Sequence, residues 1–226
     1  MLKAVVFDFD GVITDSEILH FRTFNEVLSP YGFEITLQDY YKDYLGLSDF
    51  DLFKYLIDTG VLKISESEVE NLIRQKNEIF EKLAKTEGKI IEGVRDFLGM
   101  LKQNNIRMAI CSGALLSEIE LILGDANLRD FFEVIVSAEH VNRGKPAPDG
   151  FLLTLEKLNK TSSSNIKGNE CVVIEDSHWG IEAGQKAEMH VIAVTNSYDA
   201  KQLSTAERIV SGLGEISLGD LQQLCG

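Results

Sequence analysis

Apolar residues follow two patterns along this chain. Five short runs are continuously apolar and rich in strand formers: "AVVFDFD" (4–10), "RMAICSG" (107–113), "FEVIVSA" (132–138), "CVVIED" (171–176) and "VIAVTN" (191–196). Runs that do not alternate suit strands covered on both faces. Between the later runs lie helical patterns, "LLSEIELILGDANL" and "DGFLLTLEKLNK". A weaker strand is expected at "RIVSGL", ahead of the amphipathic "LGDLQQLC". The alternation predicts an α/β fold with a doubly wound, Rossmann-like parallel sheet.

Residues 15–85 break that rhythm. They carry helical periodicity without a comparable strand run, as in "SEILHFRTFNEVLSPYG", "DFDLFKYLIDTG" and "ESEVENLIRQKNEIFEKLAK". A helical cap domain over 15–85 is expected, inserted into an α/β core formed by 1–14 and 86–226. Thr14 to Glu17 reads T-D-S-E, the pattern of a capping box, and predicts the start of the first inserted helix. The tract "NKTSSSNIKGN" (159–169) reads as a solvated loop.

Composition adds limits. With 44% hydrophobic and 26% charged residues, the 226-residue chain has apolar material for a substantial core. Its 36 acidic and 22 basic residues leave a net charge of −14, which disfavours nonspecific binding to nucleic acid or an anionic membrane. Cys111, Cys171 and Cys225 have neither CxxC nor metal-finger spacing, and buried free thiols are expected. The first apolar run is short and broken by acids, unlike a secretory leader. No run approaches the ~20 apolar residues of a membrane span. A cytoplasmic protein, monomeric or weakly homo-oligomeric, is expected.

In an open parallel sheet, ligands bind beyond the carboxyl ends of the strands. The first run ends in Asp8 and Asp10, the second in Ser112 and Gly113, and "CVVIED" in Glu175 and Asp176; Lys145 follows the third run. A hydroxyl, an amine and four carboxylates therefore converge on one edge. The stretches "DFDGVITDSE", "CSGA", "GKPAPDGF" and "IEDSHWGIEA" resemble, in order, the four motifs of the haloacid dehalogenase-like superfamily, and the insertion resembles its C1-type cap. "GVITD" and "HFR" are similar to the branch of β-phosphoglucomutases and small sugar-phosphate phosphatases.

The resemblance implies that Asp8 attacks phosphorus to form an aspartyl-phosphate, with Asp10 protonating the leaving oxygen and then activating water. It implies Mg²⁺ bound by Asp8, the Asp10 carbonyl and Asp176, with Glu175 a further ligand, direct or through water. Lys145 would neutralise phosphoryl oxygens and Asp8, and Ser112 with the Gly113 amide would donate to the transferring group. In the cap, His20 and Lys76 match positions of the mutase branch and are candidate substrate contacts.

Asp149 is read as the N-cap of the following helix and Asp15 as a helix-start or hinge residue. Trp179 and His178 are read as helix-start packing, and Phe21, Phe24, Tyr40, Tyr41 and Tyr44 as cap packing. One departure bears on function. Mutases of this branch carry Gly-x-Ser-Arg in a cap loop, whereas "LGLSDFD" here places Asp49 at the arginine position. An acid there would repel the distal phosphate of a bisphosphate. The expected function is therefore a Mg²⁺-dependent phosphatase of a small phosphomonoester, with a β-phosphoglucomutase-type mutase as the alternative. A receiver-like signalling module, in which a phosphorylated aspartate is the output, is a third reading. The insertion and the first-strand DxDG tell against it.

Overall fold

The computed structural model describes residues 1–45, 47–161 and 165–226. Residues 162–164 of the expected polar loop and residue 46 of the cap loop lie outside the described residues. The chain divides into two units, Met1–Asp15 with Lys89–Gly226, and Ser16–Gly88.

The first unit is a six-stranded sheet in the order β3-β2-β1-β4-β5-β6, every neighbouring pair parallel. Its strands are β1 (Ala4–Phe7), β2 (Arg107–Cys111), β3 (Val134–Val136), β4 (Cys171–Glu175), β5 (His190–Val194) and β6 (Arg208–Val210). This agrees with the α/β, Rossmann-like reading. The strands are shorter than the apolar runs, because the polar residues ending each run turn away at the sheet edge. The strand order reverses between β1 and β4, which makes their carboxyl ends the switch point of the sheet.

The helices of the second unit are α1 (Glu17–Leu28), the short α2 (Leu37–Asp39), α3 (Asp49–Asp58) and α4 (Glu66–Glu87). After α2 the chain widens into a π turn, Tyr40–Tyr44, in which Leu45 N donates to the Tyr40 carbonyl. Ser65 and Glu68 form a capping box that starts α4. Arg22 on α1 donates to both carboxylate oxygens of Glu87 at the end of α4, at 2.5 and 3.2 Å. Phe24 and Tyr40 are buried, Phe21 meets Tyr40 edge-on, and Tyr44 packs on Tyr55. Tyr41 also meets Tyr40 edge-on, while its outer side stays exposed.

The first unit also carries α5 (Val94–Gln103), α6 (Leu116–Asp125), α7 (Asp149–Thr161), α8 (His178–Lys186) and α9 (Leu218–Leu224). Phe151 and Leu158 of α7 and Ile181 and Ala183 of α8 bury one face of the sheet, against Val6, Ala109, Val136 and Val173. On the opposite face Phe7 stacks edge-on against Phe97 of α5 and against Phe132. Each fully buried Val, Ile, Leu or Phe contributes ~1.5–3 kcal/mol, so both faces hold the strand ends in place. The three cysteines are buried and free. Among the described residues no helix is long and apolar enough to cross a membrane.

Two local expectations are corrected. The T-D-S-E pattern does not form a capping box on α1: Ser16 stands at the N-cap, and its side chain does not make the cap hydrogen bond. Thr14 is drawn away because it bridges Ile90 and donates its hydroxyl to the Lys89 carbonyl at 2.9 Å. Asp149 is not the N-cap of α7 but its first residue. Its carboxylate accepts from Arg143 Nε and Nη2, both at 3.0 Å, so the arginine takes the oxygens that a cap would use.

Candidate active site

Asp8 continues the ladder past β1, its N–H donating to the Ile174 carbonyl of β4 at 2.9 Å. Phe7 pairs with Ile174, so the residues just beyond, Asp8 and Glu175, come side by side. Oxygens of Asp8, Glu175 and Asp176 all lie within 4.8 Å of one another, and the three residues are buried. Lys145, brought in from the loop before α7, reaches Asp8 Oδ1 at 2.8 Å and Glu175 Oε1 at 2.5 Å. Sheet topology thus gathers four of the sequence candidates.

Glu175 is held on both oxygens. Oε2 accepts from the Asp176 and Ser177 amides and from Ser177 Oγ, each at 2.9 Å, while Oε1 takes Lys145. Gly180 makes room for it, since a Cβ there would lie 1.7 Å from Glu175 Oε1. Asp176 accepts from Ser197 Oγ on Oδ2. Gly11, at φ +75°, turns the chain back after Asp10, and a Cβ at this position would come within 1.8 Å of that same oxygen. His178 and Trp179 open α8 with their rings tilted against each other and Tyr198 edge-on to both, in keeping with helix-start packing.

The charge balance is one-sided. Burial pushes the Asp8 carboxyl up to about 7, with Lys145 opposing and Glu175 adding. Burial, then Glu175 and Asp8, hold Asp176 well above the ordinary carboxylate value. For Lys145, burial alone would lower the ammonium, but Asp8 and Glu175 outweigh it and the net direction is up. Among the described residues one lysine faces three carboxylates, an excess of negative charge, and the donors are hard oxygens. A small divalent cation such as Mg²⁺ fits both features.

Of the remaining candidates, Asp10 is partly buried in the turn after β1 and bridges Thr14. Ser112 is buried just past β2; its Oγ accepts from the Ala114 amide at 3.0 Å, and Gly113 beside it is exposed. His20 and Lys76 belong to the helical unit and meet each other, Nζ to Nδ1 at 2.9 Å. Lys76 Nζ also lies 3.0 Å from Asp49 Oδ1 and faces the rings of Phe24 and Phe80. Burial, reinforced by the Lys76 charge, holds the His20 imidazole well below its ordinary value, so Nδ1 accepts from the lysine.

Two partners escaped the sequence reading. Ser197 lies past the end of β5, in "VTNSYD", a polar strand end of the same kind as the others; applying the strand-end rule to that run would have found it. Ser177 follows the two acids directly, just ahead of the helix start read at His178 and Trp179.

An acid cluster around one lysine stands at the switch point of a Rossmann-like sheet, where open α/β folds bind their ligands. The family model for haloacid dehalogenase-like hydrolases matches residues 5–194, and the chain belongs to that family. It is 31% identical to a phosphorylated carbohydrates phosphatase of Thermotoga maritima, over 91% of each chain. It is 29% identical to the β-phosphoglucomutase of Bacillus subtilis, covering 85% of this chain and 83% of that one. The fold matches a crystal structure of CbbY from Rhodobacter sphaeroides in complex with phosphate, with a TM-score of 0.88 and 24% identity over 98% of this chain and 100% of that one. The sheet order also departs from the 2-1-3-4-5 order of receiver-type domains, which removes the signalling reading.

Proposed function

We propose that the protein is a Mg²⁺-dependent phosphatase that hydrolyses a small phosphomonoester, a sugar phosphate or similar metabolite, through an aspartyl-phosphate on Asp8. The observation that carries this reading is Asp8 at the switch point, 2.8 Å from Lys145 and inside a buried carboxylate triad. Similarity to the Thermotoga carbohydrate phosphatase supports the substrate class.

Asp8 attacks phosphorus as its carboxylate, and Lys145 favours that ionised form against the effect of burial and draws in phosphoryl oxygens. Asp10 donates a proton to the leaving oxygen, then takes one from the water that attacks the aspartyl-phosphate. Ser112 and the Gly113 amide steady the equatorial oxygens. Asp8, the Asp10 carbonyl and Asp176 would hold Mg²⁺, with Glu175 acting through water because both its oxygens already accept from the protein. When bound, the ion offsets the carboxylate charge and lets an anionic phosphate approach.

A mutase is the second reading, favoured by similarity to the Bacillus β-phosphoglucomutase. The pairing of Asp49 with Lys76 argues against it: a lysine already neutralised by an acid is a poor grip for a second phosphate. The deciding experiment is phosphate release across sugar phosphates, phosphoglycolate, nucleotides and pyrophosphate, with Mg²⁺ and with EDTA. Release from a small sugar phosphate, lost in EDTA, is expected. Conversion of β-glucose 1-phosphate to glucose 6-phosphate with a trace of glucose 1,6-bisphosphate, and little free phosphate, would promote the mutase.

A further inference from the structure

Strand β5 lies beside β4, with Ala193 paired to Glu175, so the loop leaving β5 runs next to the one carrying Asp176. From it Ser197 donates Oγ to Asp176 Oδ2, and the Gly11 backbone closes on the same oxygen. Oδ1 is therefore the Asp176 oxygen free of these two contacts, and Oδ2 is the one they hold and crowd. Its neighbours are similarly committed: Glu175 on both oxygens, and Asp8 through Oδ1 to Lys145. The cluster can offer single oxygens but not a paired carboxylate.

That inventory separates the two common hard cations. Mg²⁺ accepts a few single-oxygen ligands and keeps several waters, whereas Ca²⁺ takes six to eight oxygens and readily binds carboxylates through both. Resting on the metal reading above, we propose that Ser197 is a positioning residue that holds Asp176 as a single-oxygen ligand and so makes the site prefer Mg²⁺ over Ca²⁺. Without the hydroxyl, Oδ2 is released and the carboxylate can present both oxygens.

The test uses the full-length protein stripped with EDTA. Dissociation constants for Mg²⁺ and for Ca²⁺ are measured by titration calorimetry on wild type, Ser197→Ala and Ser197→Thr, without substrate, with circular dichroism to establish folding. Ser197→Ala should move the ratio of the two constants toward Ca²⁺ by about tenfold, and Ser197→Thr, which keeps the hydroxyl, should restore the wild-type ratio. A folded Ser197→Ala with an unchanged ratio overturns the proposal while leaving the metal reading intact. Wild type that binds neither ion overturns the metal reading, and this proposal with it. If Ser197→Ala does not fold, Ser197→Cys, close in size but a weak donor, decides in the same way.

Discussion

Lys145 in the α/β unit and Lys76 in the helical unit are both withdrawn from water, with side chains 16% and 1% exposed, yet they face opposite charge balances. Lys145 touches Asp8 and Glu175, and Asp176 completes their cluster, so negative charge is in excess. Lys76 meets the Asp49 carboxylate and the accepting nitrogen of a neutral His20, and it faces the rings of Phe24 and Phe80. The first cluster is open to a further cation and an anionic ligand. In the second, Asp49 already opposes the charge of the lysine. A buried lysine is thus no sign of a ligand site until its counter-charges are counted.

The largest effect should come from Asp8→Asn. The amide is nearly isosteric but a poor nucleophile, so phosphate release should fall by more than ~1,000-fold, about 4 kcal/mol in the barrier. Because the substitution removes one of three mutually repelling carboxylates, thermal unfolding should occur at the same temperature or higher. A large drop in Tm would mean that the triad is not in negative excess.

A smaller effect, on stability, should come from Lys76→Met. It strands Asp49, and the cost should be about 2 kcal/mol, below the ~3–5 of a fully buried pair because Asp49 keeps 21% of its side chain exposed. Adding Asp49→Leu should recover most of the loss, as read by urea unfolding. A raised KM with unchanged stability would instead return Lys76 to the substrate.

The smallest effect is one of pH. The His20 imidazole is held below its ordinary 6.5 by burial and by Lys76, so the folded protein stays neutral there while the unfolded chain takes up a proton. The contribution is complete above about pH 6.5 and is lost as pH falls toward the lower folded value, by at most ~1.4 kcal/mol per pH unit. Wild type should therefore lose more Tm than His20→Asn between pH about 7 and about 5.5. Equal losses would show that His20 is protonated in the fold.

Much of the α/β architecture was legible in the chain. Continuous apolar runs mark doubly covered strands, and the acids ending "AVVFDFD" and "CVVIED" stand where a parallel sheet exposes its carboxyl edge. Local patterns misled where a distant group competed for the same atoms. Thr14 had the sequence of a helix cap, but the Lys89 carbonyl took its hydroxyl, and Arg143 took the Asp149 carboxylate.

The sequence by itself determined the strands, the helical insertion and the residue types at the strand ends, because these depend on neighbours along the chain. Only the tertiary structure decided that β4 lies between β1 and β5, and therefore that Asp8, Lys145, Glu175, Asp176 and Ser197 share one site. It also decided that Asp49, read as a charge set against a phosphate, is paired with Lys76. Strand order and helix rotation are chosen by packing of the whole chain, and a charge's effect depends on the groups that packing places beside it.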